Sequence, residues 1–207
     1  MPDRERLIKG IIATGKKLAG MGLVTAAAGN LSCRLDSKRA LITATGSRLG
    51  KLSPSDIVII DLASGKTAGP RKPSSESPLH RLIYLSFPDT GAVVHCHPSF
   101  INAYFCLYPR LRYLTFESRY YLGDVPVVRQ KSLTVTDPKP VIEALRRNPL
   151  TVIRNHGVFS KAATLGQALE RVEILEEAVR VFALARLFNR QGLDALDREL
   201  KRCLRKK

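Results

Sequence analysis

Two histidines separated by a single residue, His95-Cys96-His97, end the apolar run Gly91-Ala92-Val93-Val94 and are followed by Pro98. Residues two apart on a strand point to the same face, so the two imidazoles stand side by side while Cys96 turns away as a packed thiol. Zinc takes nitrogen ligands at about 2.0–2.1 Å, and a catalytic zinc site uses three protein ligands with one position open. Of the 4 histidines, His80 and His156 remain, and His156, in Arg154-Asn155-His156-Gly157 of a second strand-like segment, is the natural third ligand. A lone His-x-His is commonly two ordinary strand residues. Here half of the histidines lie in one apolar strand, where buried imidazoles without partners would be costly.

Ser74-Ser75-Glu76 stands before a helical pattern. Free N–H groups and hydroxyls at a helix start can hold a phosphate at the positive end of the helix dipole, which would put Glu76 beside it. The same residues also read as an N-cap followed by a first-turn acid. Ala26-Ala27-Ala28-Gly29-Asn30 and Thr45-Gly46-Ser47 are small-residue turns with the same two readings, anion cradle or plain turn.

These residues need elements to position them. Leu7, Ile8, Ile11 and Ile12 repeat at helical spacing after Asp3, and Gly20 and Gly22 end that helix. Leu31 to Leu35 and Ala40 to Thr45 flank the polar turn Asp36-Ser37-Lys38-Arg39 as a hairpin, and Ile57 to Leu62 adds a strand. Residues 66 to 75 form a loop, and a short helix follows with Leu79, Leu82 and Ile83 inward. Gly91 to His97, Val125 to Val128 and Leu150 to Phe159 are three further strands, with a short helix from Val141 to Arg147. Thr164 and Gln167 make a capping box for a long helix that keeps its period from Leu165 to Ala183 and runs on to Gly192. A basic tail begins at about residue 194, and residues 1–207 read as a single domain.

Length and composition agree with one soluble domain. The chain has 207 residues, 44% of them apolar and 25% charged, which excludes a disordered chain. Lys plus Arg exceed Asp plus Glu by 34 to 18, so the net charge of +16 favours anionic partners. The basic residues are scattered, Trp is absent and no nucleic-acid reading motif appears, so a phosphorylated small molecule is preferred over nucleic acid. No apolar run approaches the roughly 20 residues of a membrane helix, and the charged N-terminus has no signal core, so no membrane association and a cytoplasmic location are expected. Cys33, Cys96, Cys106 and Cys203 form no Cys-x-x-Cys pair and are expected to stay reduced.

In order along the chain, Gly29-Asn30-Leu31-Ser32-Cys33-Arg34, Leu41-Ile42-Thr43-Ala44-Thr45-Gly46, Lys51-Leu52-Ser53, Asp56-Ile57-Val58, Lys72-Pro73-Ser74-Ser75-Glu76, His80, Tyr84, Ala92-Val93-Val94-His95-Cys96-His97-Pro98 and Asn155-His156-Gly157 together resemble the class II aldolase/adducin family, typified by zinc-dependent L-fuculose-1-phosphate aldolase. The resemblance implies a three-layer αβα domain with a mostly antiparallel sheet between helices, a homotetramer and a site near a subunit interface. It implies one zinc ion per chain on His95, His97 and His156, and Glu76 as the acid/base. Gly29, Asn30, Thr45, Gly46, Ser74 and Ser75 would hold the substrate phosphate. The implied reaction is reversible cleavage of a ketose 1-phosphate to dihydroxyacetone phosphate and a short aldehyde through a metal-stabilised enediolate.

Two departures bear on that expectation. Ala44 stands where many relatives have proline. The second acid/base is open among Tyr113, Tyr120, Tyr121 and Glu117, and Arg119 falls where the epimerase branch has its catalytic aspartate, which argues against epimerisation. Other reactions of the family compete: pentulose-phosphate 4-epimerisation, methylthioribulose-1-phosphate dehydration and sugar-acid-phosphate decarboxylation. A non-catalytic adducin-like binding module is the alternative from a different class.

Overall fold

The structure is a computed structural model that describes residues 4–130 and 135–188 together with Arg198 and Arg202. The tail expected from about residue 194 lies, those two arginines apart, outside the described residues, as does Asp3. Among the described residues eight strands form one sheet: β1 (Asn30–Arg34), β2 (Arg39–Thr43), β3 (Ile57–Asp61), β4 (Thr67–Ala68), β5 (Ala92–Cys96), β6 (Val127–Val128), β7 (Leu150–Ile153) and β8 (Gly157–Ala162). Their order is β4-β3-β2-β1-β5-β8-β7-β6. Every pairing is antiparallel except β6 with β7, as the expected architecture requires.

Period-two alternation sorts the strand residues between two helical layers. Leu31, Cys33, Ala92, Val94, Cys96 and Val158 face a core that also holds α1 (Arg4–Gly20), α3 (Ser99–Leu107), α4 (Phe116–Leu122) and the long α6 (Leu165–Phe188). Val93, Ile153 and Phe159 face the opposite layer, α2 (Ser77–Ser86) and α5 (Lys139–Arg147), with Leu79, Ile83, Val141 and Leu145. Burying one such Val, Leu or Ile contributes about 1.5–3 kcal/mol, so the two apolar interfaces hold the sheet rigid between them. Asn30, Ser32 and His95 belong to the α2 side by the same alternation, and Asn30 pairs directly with His95 across β1 and β5.

Three sequence expectations change. The run from Leu150 to Phe159 is two strands joined by a tight turn, because Asn155 adopts a left-handed conformation at φ 61 and the His156 N–H donates back to the Ile153 carbonyl at 3.1 Å. His156 therefore sits on a turn between β7 and β8. Strand β5 stops at Cys96, since Pro98 offers no ladder donor and the His97 N–H goes to the Leu23 carbonyl at 3.2 Å. Helices α3 and α4 form in segments whose pattern predicts no element, and residues 66 to 75, expected as a loop, contain the short edge strand β4. The start of α3 is capped from afar: the N–H groups of Phe100 and Ile101 donate to the Glu176 carboxylate of α6 at 3.3 and 3.0 Å.

Candidate active site

His95, His97 and His156 converge at the end of β5 and the β7–β8 turn. The His95 ring stacks on Phe159 at 4.1 Å between centroids, and its Nδ1 lies 2.8 Å from the Val158 carbonyl. A carbonyl only accepts, so Nδ1 carries a proton and Nε2 is the nitrogen turned to the cluster. That atom is 2.9 Å from His97 Nε2 and 3.1 Å from His156 Nε2. All three ligand atoms lie within 4.8 Å of one another and could hold a metal ion. Burial, and then the neighbouring His95 and His156, push the His97 pKa down to about 3, so this imidazole is neutral and ligand-ready near pH 7. Three imidazole nitrogens that converge this closely are a ready donor set, and an all-imidazole set of three suits zinc. The donor set thus fits the divalent metal that resemblance implied.

Glycine at 157 lets this cluster close. A Cβ there would lie 2.4 Å from the Cys96 carbonyl oxygen and 3.2 Å from His97 Cδ2. From α3, Asn102 Nδ2 donates to the His156 carbonyl at 3.2 Å and holds the turn down.

Glu76 immediately precedes α2 and reaches the same point. Its Oε2 is 2.9 Å from His95 Nε2, its Oε1 is 3.2 Å from His156 Nε2, and Asn30 Nδ2 donates to Oε2 at 2.9 Å. Burial is the largest influence on this carboxyl and would raise its pKa. The field of His95 and the hydrogen bonds from His156, His95 and Asn30 outweigh it and hold the group well below the usual carboxylate range. Glu76 is therefore an anion at neutral pH.

The expected phosphate residues fall into two groups. Ala44 and Pro73 pair as an antiparallel bridge, which brings Thr45-Gly46 against Ser74-Ser75. Within it the Thr45 N–H goes to the Lys72 carbonyl at 3.0 Å and the Ser74 N–H to the Thr43 carbonyl at 3.1 Å, while Ser74 Oγ accepts from the Glu76 N–H at 3.2 Å. Those donors are spent on the turn. Thr45, Gly46 and Ser75 are exposed, and the hydroxyls of Thr45 and Ser75 with the N–H groups of Gly46 and Ser75 are the ones left to face an anion. Asn30 stands apart: its side chain is committed to Glu76 and His80, which makes it a support of the carboxylate in this structure. Gly29 precedes it at φ 83, where a Cβ would also meet the His95 carbonyl oxygen at 2.7 Å.

Arg71 went unnoticed in the sequence because it lies in a loop of mixed polar residues. Its guanidinium bonds Asp56, Ser47 Oγ at 3.2 Å and the Thr45 carbonyl at 3.0 Å, bracing the Thr45-Gly46 turn from behind with a positive charge. Among the candidates for a second acid/base, Tyr113 is drawn into the core, donates to the Gly123 carbonyl and has its pKa pushed up to about 12 by burial. Tyr120, Tyr121 and Glu117 are exposed on α4, and Arg119 pairs with Asp124 at 2.9 Å.

Comparison with known proteins agrees with this geometry. Residues 9–183 match the family model for the class II aldolase and adducin N-terminal domain. The chain is 32% identical over 179 residues to 3-oxo-tetronate 4-phosphate decarboxylase of Haemophilus influenzae, covering 83% of this chain and 84% of that protein. It is also 32% identical over 192 residues to methylthioribulose-1-phosphate dehydratase of Pseudomonas syringae pv. tomato, covering 84% and 92%. The crystal structure of L-fuculose-1-phosphate aldolase from Thermus thermophilus superposes with a TM-score of 0.80 at 31% identity, covering 91% of this chain and 98% of that one. With the sheet order, the three convergent imidazoles and Glu76 between them, these likenesses establish that the chain belongs to the class II aldolase and adducin family.

Proposed function

We propose that this protein is a metal-dependent lyase acting on a phosphorylated keto sugar, with reversible aldol cleavage of a ketose 1-phosphate to dihydroxyacetone phosphate and a short aldehyde as the leading reaction. The observation that carries this reading is the Glu76 carboxylate lying 2.9 Å and 3.2 Å from two of three convergent imidazole nitrogens, beside turns with unspent donors. His95, His97 and His156 would hold one zinc ion per chain. Bound there, it would supply Lewis-acid polarisation of a carbonyl and its neighbouring hydroxyl.

Glu76 acts as the base that takes the proton from the carbon beside the ketone. In the resting arrangement its histidine and Asn30 contacts hold its proton affinity down against burial. A carboxylate that turns from the histidines toward substrate while Asn30 keeps its other oxygen loses the histidine contacts and keeps the burial, so it becomes the stronger base when it is needed. Ser75, Thr45 and Gly46 hold the phosphate, with Ser74, Asn30 and Gly29 shaping the two turns, and the +16 charge draws the anion in. The family likeness further supports a homotetramer with each site near a subunit interface, in the cytoplasm. No helix among the described residues is long and apolar enough to cross a membrane.

A second reading is favoured by the named relatives: dehydration of a methylthioribulose 1-phosphate, or decarboxylation of a sugar-acid phosphate, on the same residues. Zinc-loaded protein is assayed with L-fuculose 1-phosphate, methylthioribulose 1-phosphate and 3-oxo-tetronate 4-phosphate, following dihydroxyacetone phosphate, loss of water and carbon dioxide. Release of dihydroxyacetone phosphate supports aldol cleavage, and turnover confined to another substrate selects the second reading. With no turnover and no proton exchange at dihydroxyacetone phosphate, the adducin-like binding module stands instead.

A further inference from the structure

Behind Glu76 runs a buried chain of hydrogen bonds that no step above uses. Glu76 at the N-cap of α2, and His80 and Tyr84 on the helix, follow at intervals of four residues on the stripe that meets Asn30 and Ser32 of β1. His80 Nε2 is 2.5 Å from Asn30 Oδ1, His80 Nδ1 is 2.6 Å from Ser32 Oγ, and Ser32 Oγ is 2.8 Å from the Tyr84 hydroxyl. All four side chains are buried, His80 at 1% exposure.

The polarity of the chain follows from its carboxylate end. Asn30 Nδ2 donates to Glu76 Oε2 at 2.9 Å, so the amide oxygen is the atom left for His80. That oxygen only accepts, so the His80 proton is on Nε2. Burial pushes the His80 pKa down to about 3, leaving Nδ1 a bare acceptor that takes the Ser32 hydroxyl proton. Ser32 Oγ in turn accepts from Tyr84, whose phenol burial keeps protonated. Each group has one compatible role, so the chain can be satisfied in a single direction. Turning the Asn30 amide over would set its NH₂ against the His80 N–H and its oxygen against the carboxylate.

We infer that His80 is a positioning residue for the base: its Nε2–H fixes the Asn30 amide, which holds Oε2 of the Glu76 carboxylate beside the three-histidine cluster. The inference rests on the reading of Glu76 as the base. Its chemistry is distinct from metal binding, because His80 directs neither nitrogen at the three-histidine cluster.

The test uses two substitutions that separate the ring's two contacts. In His80→Gln the longer side chain returns an N–H donor to the place of Nε2, whereas in His80→Asn the shorter amide reaches Ser32 only. With zinc-loaded protein, His80→Asn is expected to lose about 10²-fold in kcat, as misplacement of a reacting group by about 1 Å does, with KM, zinc content and inhibition by inorganic phosphate unchanged. His80→Gln should recover most of that loss. Equal kcat values in the two variants, or a loss that appears in zinc content instead, would overturn the inference.

Nitrogen-15 NMR of histidine-labelled wild type gives an arm that needs neither turnover nor a stable variant. A His80 ring protonated on Nε2 from pH 8 to 5 supports the inference, and a proton on Nδ1 refutes it. Absence of turnover in every variant with the Nε2 tautomer intact would instead remove Glu76 as the base, and the positioning role with it, leaving the relay as a structural chain.

Discussion

Lowering the pH from 7 to about 4.5 should cost the native state about 2–3 kcal/mol through His80 alone. Burial, with Glu76 opposing and His95 adding to it, sets the folded pKa at about 3 against an ordinary value of 6.5. The folded value is depressed, so between the two pKa values it is the unfolded chain that binds the extra proton. Stability from this group is therefore complete above about pH 6.5 and is lost progressively as the pH falls toward 3. At pH 4.5 the unfolded ring lies about 2 units below its pKa, and each unit is worth about 1.36 kcal/mol. Urea unfolding is measured for wild type and His80→Gln at both pH values, with a chelator present so that metal release adds no pH dependence of its own. Every other titrating group is common to both proteins, so the difference between their losses isolates His80. The wild type should lose about 2–3 kcal/mol more than the variant; equal losses would refute a neutral, buried His80.

Four further outcomes are expected. Glu76→Gln should keep its zinc and phosphate affinity while metal-dependent exchange of the dihydroxyacetone phosphate C–H proton with deuterated water, followed by NMR, falls about 10²–10⁴-fold. Gly157→Ala drives a Cβ to 2.4 Å from the Cys96 carbonyl, so zinc retained on dialysis against a weak chelator should drop although no ligand is altered. Ser75→Ala should raise the inhibition constant of inorganic phosphate severalfold and leave zinc content untouched; an unchanged constant would make Ser75 a turn residue only. Glu176→Ala leaves the N–H groups of Phe100 and buried Ile101 at the start of α3 unpaired, and urea unfolding should show a loss of about 1–3 kcal/mol.

What the sequence determined by itself was local or strongly patterned. Alternation over Ala92 to Cys96 already put His95 on the face opposite Cys96, and Thr164, expected in a capping box with Gln167, caps α6 by accepting the Gln167 N–H on Oγ1 at 3.3 Å. The pairing of strands around Asp36 needed only the turn, since its carboxylate bonds the N–H groups of Lys38 and Arg39 at 2.8 Å within the hairpin. The His95-x-His97 spacing and His156 in a second strand-like segment were enough to nominate the three imidazoles.

Only the tertiary structure decided what depends on groups distant in the chain. The split of 150–159 into two strands hinges on the left-handed Asn155, and the end of β5 on where the His97 N–H finds its acceptor at Leu23. Helix α3 is capped by Glu176 from 75 residues away, a partner no local window contains. Asn30 looked like an anion donor from its small-residue turn, yet across the sheet it meets Glu76 46 residues on and His80 50 residues on, and its amide is spent between them. A hydrogen bond is set by where two groups lie in space, while composition and periodicity report only which face a residue takes, so the donors were legible in the sequence and their partners were not.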